Sequence, residues 1–226
     1  MKLAIIPARG GSKRIPKKNI KSFFGKPILY YPLRTACESD LFDRVVVSSD
    51  DNEILDIASN FSENISCYKR PANLADDFTS TLPVIKDYIL SQNDEIRDVC
   101  CIYPCTPFLT KQVLIDFYEE YKKDRGYFYF PVIKSQSIFR ALEFKNRDQL
   151  SPVFFENQDK RTQDIEETFF DAGQFYFGSK ENWLSDDVNI HSSARAKVVD
   201  KLTAIDIDEM DDWNFAEYLY EKKYLQ

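Results

Sequence analysis

Three short runs, Leu3 to Pro7, Arg44 to Ser48 and Val99 to Tyr103, are apolar at successive rather than alternate positions. Each is followed by polar, glycine or proline residues and then by helical periodicity. A strand without a polar face must be covered on both sides, and strands joined through helices run parallel. The sequence therefore predicts an α/β fold with a mainly parallel sheet covered by helices. Helices are expected over Ile28 to Glu38, Asn52 to Asn60, Thr81 to Leu90 and Lys111 to Asp124, with an amphipathic one from Met210 to Leu225. Pro32 fits the first only in its opening turn, where a missing N–H costs nothing. Asp50 or Asp51 stands where a side chain caps the second. Such sheets bind ligands beyond the carboxyl ends of their strands, so the site is expected after residues 7, 48 and 103.

From about Tyr127 to Phe170 the pattern changes to aromatic and β-branched runs, such as Tyr127-Phe128-Tyr129-Phe130 and Pro152-Val153-Phe154-Phe155, separated by polar turns. This reads as a small inserted antiparallel lobe, residues 131–170, after which Phe175 to Phe177 resumes the sheet. The 226 residues suffice for one domain carrying that lobe. A net charge of −7 argues against nucleic-acid and anionic-membrane partners. No run approaches the roughly 18 apolar residues of a membrane span. No small-residue cleavage site follows the first strand, so a cytoplasmic location is expected. Five cysteines without C-x-x-C spacing suggest reduced thiols rather than a disulfide or zinc framework. His191 is the only histidine and has no local partner pattern, which leaves it as a loop residue and disfavours a histidine-based nucleophile scheme.

The densest chemical signal is Ile6-Pro7-Ala8-Arg9-Gly10-Gly11-Ser12-Lys13-Arg14-Ile15-Pro16-Lys17-Lys18-Asn19. Directly after the first strand come two glycines, a hydroxyl and five cations, in an otherwise acidic chain. Glycines let backbone N–H groups face a ligand, and such nests hold phosphate oxygens. Arg9 and Lys13 are placed to neutralise a triphosphate. Neither the Walker A spacing nor G-x-G-x-x-G is present. A second signal is Ala204-Ile205-Asp206-Ile207-Asp208, a strand-like run with two carboxylates on one face. Paired oxygens of this kind suit a hard cation such as Mg²⁺, which bridges substrate phosphates.

Together these segments resemble the CMP-sialic acid synthetase family, the cytidylyltransferases that activate ulosonic acids. The resemblance rests on Ile6 to Asn19, Gly25-Lys26-Pro27, Val46-Val47-Ser48-Ser49-Asp50, Lys69-Arg70-Pro71 with Leu74-Ala75-Asp76-Asp77, and Ile205-Asp206-Ile207-Asp208. Arg161-Thr162-Gln163-Asp164 and Asp171-Ala172-Gly173 are similar to the branch that activates pseudaminic acid, an acidic nine-carbon sugar. The alternatives are legionaminic, N-acetylneuraminic and 3-deoxy-octulosonic acids, or a non-catalytic nucleotide-binding module. Where sialic acid synthetases commonly carry Gln-Pro-Thr-Ser-Pro-Leu-Arg, this chain has Tyr103-Pro104-Cys105-Thr106-Pro107-Phe108-Leu109.

The resemblance implies a Rossmann-like nucleotidyltransferase sheet and a lobe through which two copies dimerise. Ala8 and Gly11 would belong to the nucleotide loop, in which Arg9, Ser12 and Lys13 hold the CTP phosphates. Asn19 would meet the nucleoside, and Arg70 and Thr81 the cytosine. Asp206 and Asp208 would bind Mg²⁺, while Arg161, Gln163 and Asp171 would face the sugar, the first two across the dimer. Arg9, Lys13 and Asp208 would carry the transfer of CMP to the anomeric hydroxyl. Asp76 and Asp77 read instead as turn or cap residues.

Overall fold

A computed structural model describes residues 1–135 and 137–225. Its centre is β1 (Lys2–Pro7), flanked by β4 (Arg44–Ser49) and β6 (Asp98–Ile102), with β5 (Ile65–Lys69) outside β4. All four run parallel. The sheet continues through β11 (Phe175–Ser179), antiparallel to both β6 and β7 (Phe128–Lys134). Beyond these, β7 pairs with β10 (Phe169–Asp171) and, in parallel, with β12 (Ala194–Val198). The short hairpins β2 (Ser22–Phe23) with β3 (Lys26–Pro27) and β8 (Leu142–Phe144) with β9 (Leu150–Pro152) stand outside this sheet.

The expected helices appear as α1 (Tyr30–Glu38), α2 (Asn52–Ser59), α3 (Thr81–Leu90), α4 (Lys111–Tyr121) and α6 (Met210–Tyr224), joined by a short α5 (Lys180–Leu184). Pro32 lies in the opening turn of α1, as its missing N–H requires. Two strands escape the sequence pattern. In β5 only Ile65 is buried, and β12 is almost wholly exposed with Arg195 and Lys197 in it, so neither shows the apolar run of a central strand. Both pair on one side only and keep a solvated edge.

Alternate residues of β1 feed two cores. Ala4 and Ile6 pack with Leu33, Ile54, Leu114 and Phe117 on one face, while Leu3 and Ile5 pack with Ile85, Ile89 and Trp183 on the other. Each such side chain contributes about 1.5–3 kcal/mol by leaving water. A third cluster joins distant segments: Ile15, Phe23, Ile28, Phe108, Ile207 and Trp213 are all buried together. It anchors from beneath both the basic loop, through Ile15, and the Asp-Ile-Asp run, through Ile207.

In the segment read as a lobe, Pro131 to Lys134 prolong β7 and Phe169 and Phe170 lie in β10. Phe139 and Phe154 pack edge to face with centroids 5.2 Å apart. Phe144 and Phe155 stay 68% and 57% exposed, beside the exposed Leu142 and Leu150.

At the amino end of β6, Asp98 is buried and accepts hydrogen bonds from Arg97, Tyr118, Tyr121 and Arg125. Burial opposes its charge, but the bonds from Arg125, Arg97 and Tyr118 outweigh it and hold its pKa below the usual value. Asp98→Ala should cost about 2–4 kcal/mol, because two tyrosine hydroxyls lose their acceptor. A depressed carboxylate stabilises the fold above its unfolded pKa, near 3.9, and that stabilisation disappears as pH falls through the folded value. Urea melts of wild type and Asp98→Ala should therefore differ at pH 7, and the difference should shrink as pH falls below the unfolded carboxylate value.

Candidate active site

The basic loop is held by backbone geometry before any side chain acts. Ala8 N–H donates to the Ser48 carbonyl at 2.9 Å, extending the β1–β4 pairing by one residue. Gly10 N–H donates to Asp50 Oδ1 at 3.0 Å, and the buried Asn19 donates from Nδ2 to the Arg9 carbonyl at 2.8 Å. A Cβ on Gly10 would lie 2.7 Å from Asp51 Oδ2, so glycine is demanded there by close approach to α2. Gly11 has open space around its Cα and leaves that side of the loop accessible.

Of the two candidate caps of α2, the structure selects Asp51. Asp51, in extended backbone, accepts from Glu53 N–H at 2.8 Å, whereas Asp50 turns back to hold the loop. The two positions are adjacent, and only the path of the chain after β4 separates their roles.

All five loop cations meet an acid. Arg9 donates to Asp77 Oδ1 at 2.7 Å and to the Asp76 carbonyl at 2.9 Å, and Lys13 pairs with the other Asp77 oxygen. Arg14 reaches Asp208 Oδ2 at 2.9 Å. Lys18 donates to the Ile207 carbonyl at 2.6 Å and to Asp208 Oδ1 at 3.3 Å, and Lys17 pairs with Glu53 at 2.5 Å. Asp77 is thus a counter-ion of the loop, with its pKa lowered by Lys13 and Arg9. Asp76 is the turn residue, accepting from Phe78 N–H, Thr79 N–H and the Thr79 hydroxyl.

Between these groups lies a cleft of about 260 Å³ at the carboxyl ends of β1 and β6. Arg9, Ser12, Arg14, Lys18 and Asp208 line its charged side, and Asn19, Arg70, Thr81, Tyr103 and Pro104 the remainder. Arg70 is buried, with its guanidinium on the Ser48 carbonyl at 2.7 Å and the Ser48 hydroxyl at 3.3 Å, and burial lowers its pKa. Thr81 shares a 2.8 Å hydrogen bond with the Tyr103 hydroxyl. The amide of Asn19 is engaged within the protein, by the Arg9 carbonyl and by Cys105 Sγ–H at 3.3 Å, so it shapes the loop.

Asp206 and Asp208 lie in irregular chain between Thr203 and α6, not in the strand-like run expected, and pair with no strand. Ile207 is buried between them, and the capping box of α6 fixes the entry into that helix, with Asp212 Oδ2 accepting from the N–H groups of Asp208 and Glu209 at 3.0 and 2.8 Å. Asp206 keeps an exposed face, and partial desolvation by the surrounding chain, then the neighbouring charge of Asp208, raise its pKa. Among the described residues, no ion pair or hydrogen bond engages the Asp206 carboxylate, and no group of three or more His, Cys, Asp and Glu forms a metal cage. Two repelling carboxylates, one of them unpartnered, fit a hard cation whose remaining ligands are phosphate oxygens and water.

The residues expected at the sugar are dispersed within this chain. Arg161 forms a two-point ion pair with Asp164 at 2.7 and 3.1 Å. Gln163 borders a separate hollow of about 870 Å³ beside β7, and neither residue lines the nucleotide cleft. Asp171 accepts from Gly173 N–H, the Tyr176 hydroxyl and His191 Nε2, each at 2.8 Å. Lys18, Arg14 and Tyr176 have no role of their own in the sequence reading, where Asp50 and Asp77 are cap or turn residues and His191 is a loop residue without a partner. The first two stood in plain view in the basic run, whereas the others are defined by partners far along the chain.

A mainly parallel sheet with a basic loop after its first strand, and Asp208 of a carboxylate pair meeting that loop, marks a nucleotidyltransferase. The chain belongs to the cytidylyltransferase family, whose profile matches residues 3–182. It is 37% identical over 223 residues to the pseudaminic acid cytidylyltransferase of Campylobacter jejuni, covering 97% of this chain and 96% of that protein. Identity to N-acylneuraminate cytidylyltransferase B of Danio rerio is 30% over 217 residues, 95% of this chain and 50% of that one. The fold matches CMP:2-keto-3-deoxy-manno-octonic acid synthetase complexed with CTP, with a TM-score of 0.71 at 13% identity, covering 98% and 99% of the two chains.

Asp77 neutralises both cations expected to receive the triphosphate. Asp77→Asn should therefore tighten CTP binding, by up to about fivefold, the scale of one exposed ion pair. Calorimetric titration with CTP at low and high salt checks this, and the gain should shrink as salt rises.

Proposed function

We propose that this enzyme transfers CMP from CTP to the anomeric hydroxyl of pseudaminic acid, forming CMP-pseudaminic acid and releasing pyrophosphate. The observation that carries the reading is the gathering of Arg9, Arg14, Lys18 and Asp208 around one cleft at the strand ends. The full-length relatives from Campylobacter jejuni supply the substrate. Arg9 and Lys13 hold the β- and γ-phosphates, with Asp77 giving up its contacts to them. Arg14 and Lys18 leave Asp208 to neutralise the α-phosphate as the hydroxyl oxygen attacks in line, its proton passes to water or the leaving group, and the bond to the leaving pyrophosphate breaks. Arg70 and Thr81 enclose the base. Asp206 and Asp208 would hold Mg²⁺, which supplies positive charge to the phosphates. The site acts by orientation and charge neutralisation, so it needs no histidine base.

A smaller adjoining cleft shares Ser80, Thr81 and Tyr103 with the nucleotide cleft, which favours it as the seat of the sugar. The exposed Leu142, Phe144, Leu150 and Phe155 support a homodimer in which residues 131–170 cover the partner. Arg161 and Gln163 then serve the neighbouring sugar. A cytoplasmic enzyme supplying surface glycan or flagellin glycosylation agrees with this substrate.

Pyrophosphate release should require CTP, Mg²⁺ and a sugar acid, and should be fastest with pseudaminic acid in a panel with legionaminic, N-acetylneuraminic and 3-deoxy-octulosonic acids. Asp208→Asn should lower turnover by about 10² or more at an unchanged melting temperature. Equal rates across the panel would overturn the substrate assignment, and a wild-type rate for Asp208→Asn the metal assignment.

Light scattering at micromolar concentration should give a dimer. Arg161→Ala and Lys13→Ala chains, each inactive, should regain activity on subunit exchange, because one site in the mixed dimer is then intact. A monomer, or exchange without recovery, would refute the shared site.

A further inference from the structure

Beside the nucleotide cleft is a smaller one of about 210 Å³, bounded by Thr81, Tyr103, Tyr176, Asn189, Ile190 and His191. Its polar wall is organised from behind. Asp171 Oδ1 accepts from Gly173 N–H, and Oδ2 accepts from both the Tyr176 hydroxyl and His191 Nε2. Gly173 has φ +62, a conformation glycine adopts freely, which aims its N–H at Asp171. The imidazole also packs edge to face on Phe130 and Tyr176, with centroids 5.6 and 6.4 Å away. Asn189 Oδ1 accepts from the His191 backbone N–H at 2.9 Å and fixes the loop that carries it.

Three internal donors occupy Asp171, so little of its accepting capacity is left for a ligand. A carboxylate on Nε2 also makes that nitrogen the protonated one in a neutral ring, which leaves Nδ1 as an acceptor. Tyr176 spends its only proton on Asp171, so its oxygen likewise offers lone pairs. The His191 and Tyr176 side of the cleft is set to accept hydrogen bonds, the complement of hydroxyl or acetamido N–H groups on a sugar.

We infer that His191 is the specificity-determining contact for the sugar acid, and that Asp171 is a positioning residue that fixes the tautomer of the imidazole. This rests on the proposed reaction and deepens it, since it moves the sugar contact from Asp171 to the chain's one histidine.

The test measures pyrophosphate release with pseudaminic acid varied at saturating CTP, and with CTP varied at saturating sugar, for wild type, His191→Ala, His191→Gln and Asp171→Asn. Loss of one hydrogen bond to a substrate predicts a sugar KM raised about tenfold in His191→Ala, with the KM for CTP and the melting temperature unchanged. Glutamine keeps an N–H for Asp171, but its accepting oxygen sits on the same carbon as that N–H and not at the position of Nδ1, so His191→Gln should stay as impaired as His191→Ala. Asp171→Asn should also raise the sugar KM, because its amide disturbs the tautomer. Rescue by His191→Gln would show that the imidazole only props Asp171 and would overturn the inference. So would an unchanged sugar KM in His191→Ala, or a parallel rise in the KM for CTP. A wild-type enzyme that releases no pyrophosphate with any sugar acid would instead overturn the proposed reaction, which separates the two failures.

Discussion

Five cations crowd into the ten residues from Arg9 to Lys18, and their mutual repulsion is the constraint around which the site is built. Their counter-ions come from three separate segments: Asp77 from the turn before α3, Glu53 from the first turn of α2, and Asp208 from the chain entering α6. Charge balance therefore draws three parts of the protein around one loop. These partly exposed pairs contribute little stability individually. The buried cluster of Ile15, Ile207 and Trp213 supplies the adhesion that places the loop opposite Asp208.

The arrangement suits a polyanionic substrate. Acids that neutralise the loop can hand their cations to phosphate through side-chain movement, because the pairs lie at least partly exposed around the cleft. Asp50 and Asn19 behave differently, because they bind backbone groups of the loop and keep its shape whichever anion is present. The loop thus has a rigid backbone and exchangeable charge, the combination that electrostatic preorganisation requires.

A second polar assembly lies along β10 and β11, where Asp171 gathers Gly173, Tyr176 and His191. Thr81 and Tyr103 belong to both clefts, so the hydroxyl pair between them forms the wall that the two clefts share. The antiparallel insertion of β11 beside β6 produces this adjacency by bringing Tyr176 alongside Tyr103, with ring centroids 5.5 Å apart.

Much of this was legible in the sequence wherever the information was local. The double-faced apolar runs of β1, β4 and β6, the helices from Thr81 and Lys111, the glycine-rich basic loop and the alternation of Asp206 and Asp208 around Ile207 all lie within a few consecutive residues. The periodicities of helix and strand make such segments readable. Strands β5 and β12 were not legible, because edge strands need no continuous apolar run. Whether Asp50 or Asp51 caps α2 depended on a backbone turn that no residue type dictates. The sequence by itself determined the chemical groups available and the parallel sheet that presents them. Only the tertiary structure decided which groups meet: Lys18 with Asp208 across 190 positions, Arg9 with Asp77 across 68, and His191 with Asp171 across 20. Such pairings follow from shared burial and from the crossing of chain segments, and neither leaves a periodic trace along the chain.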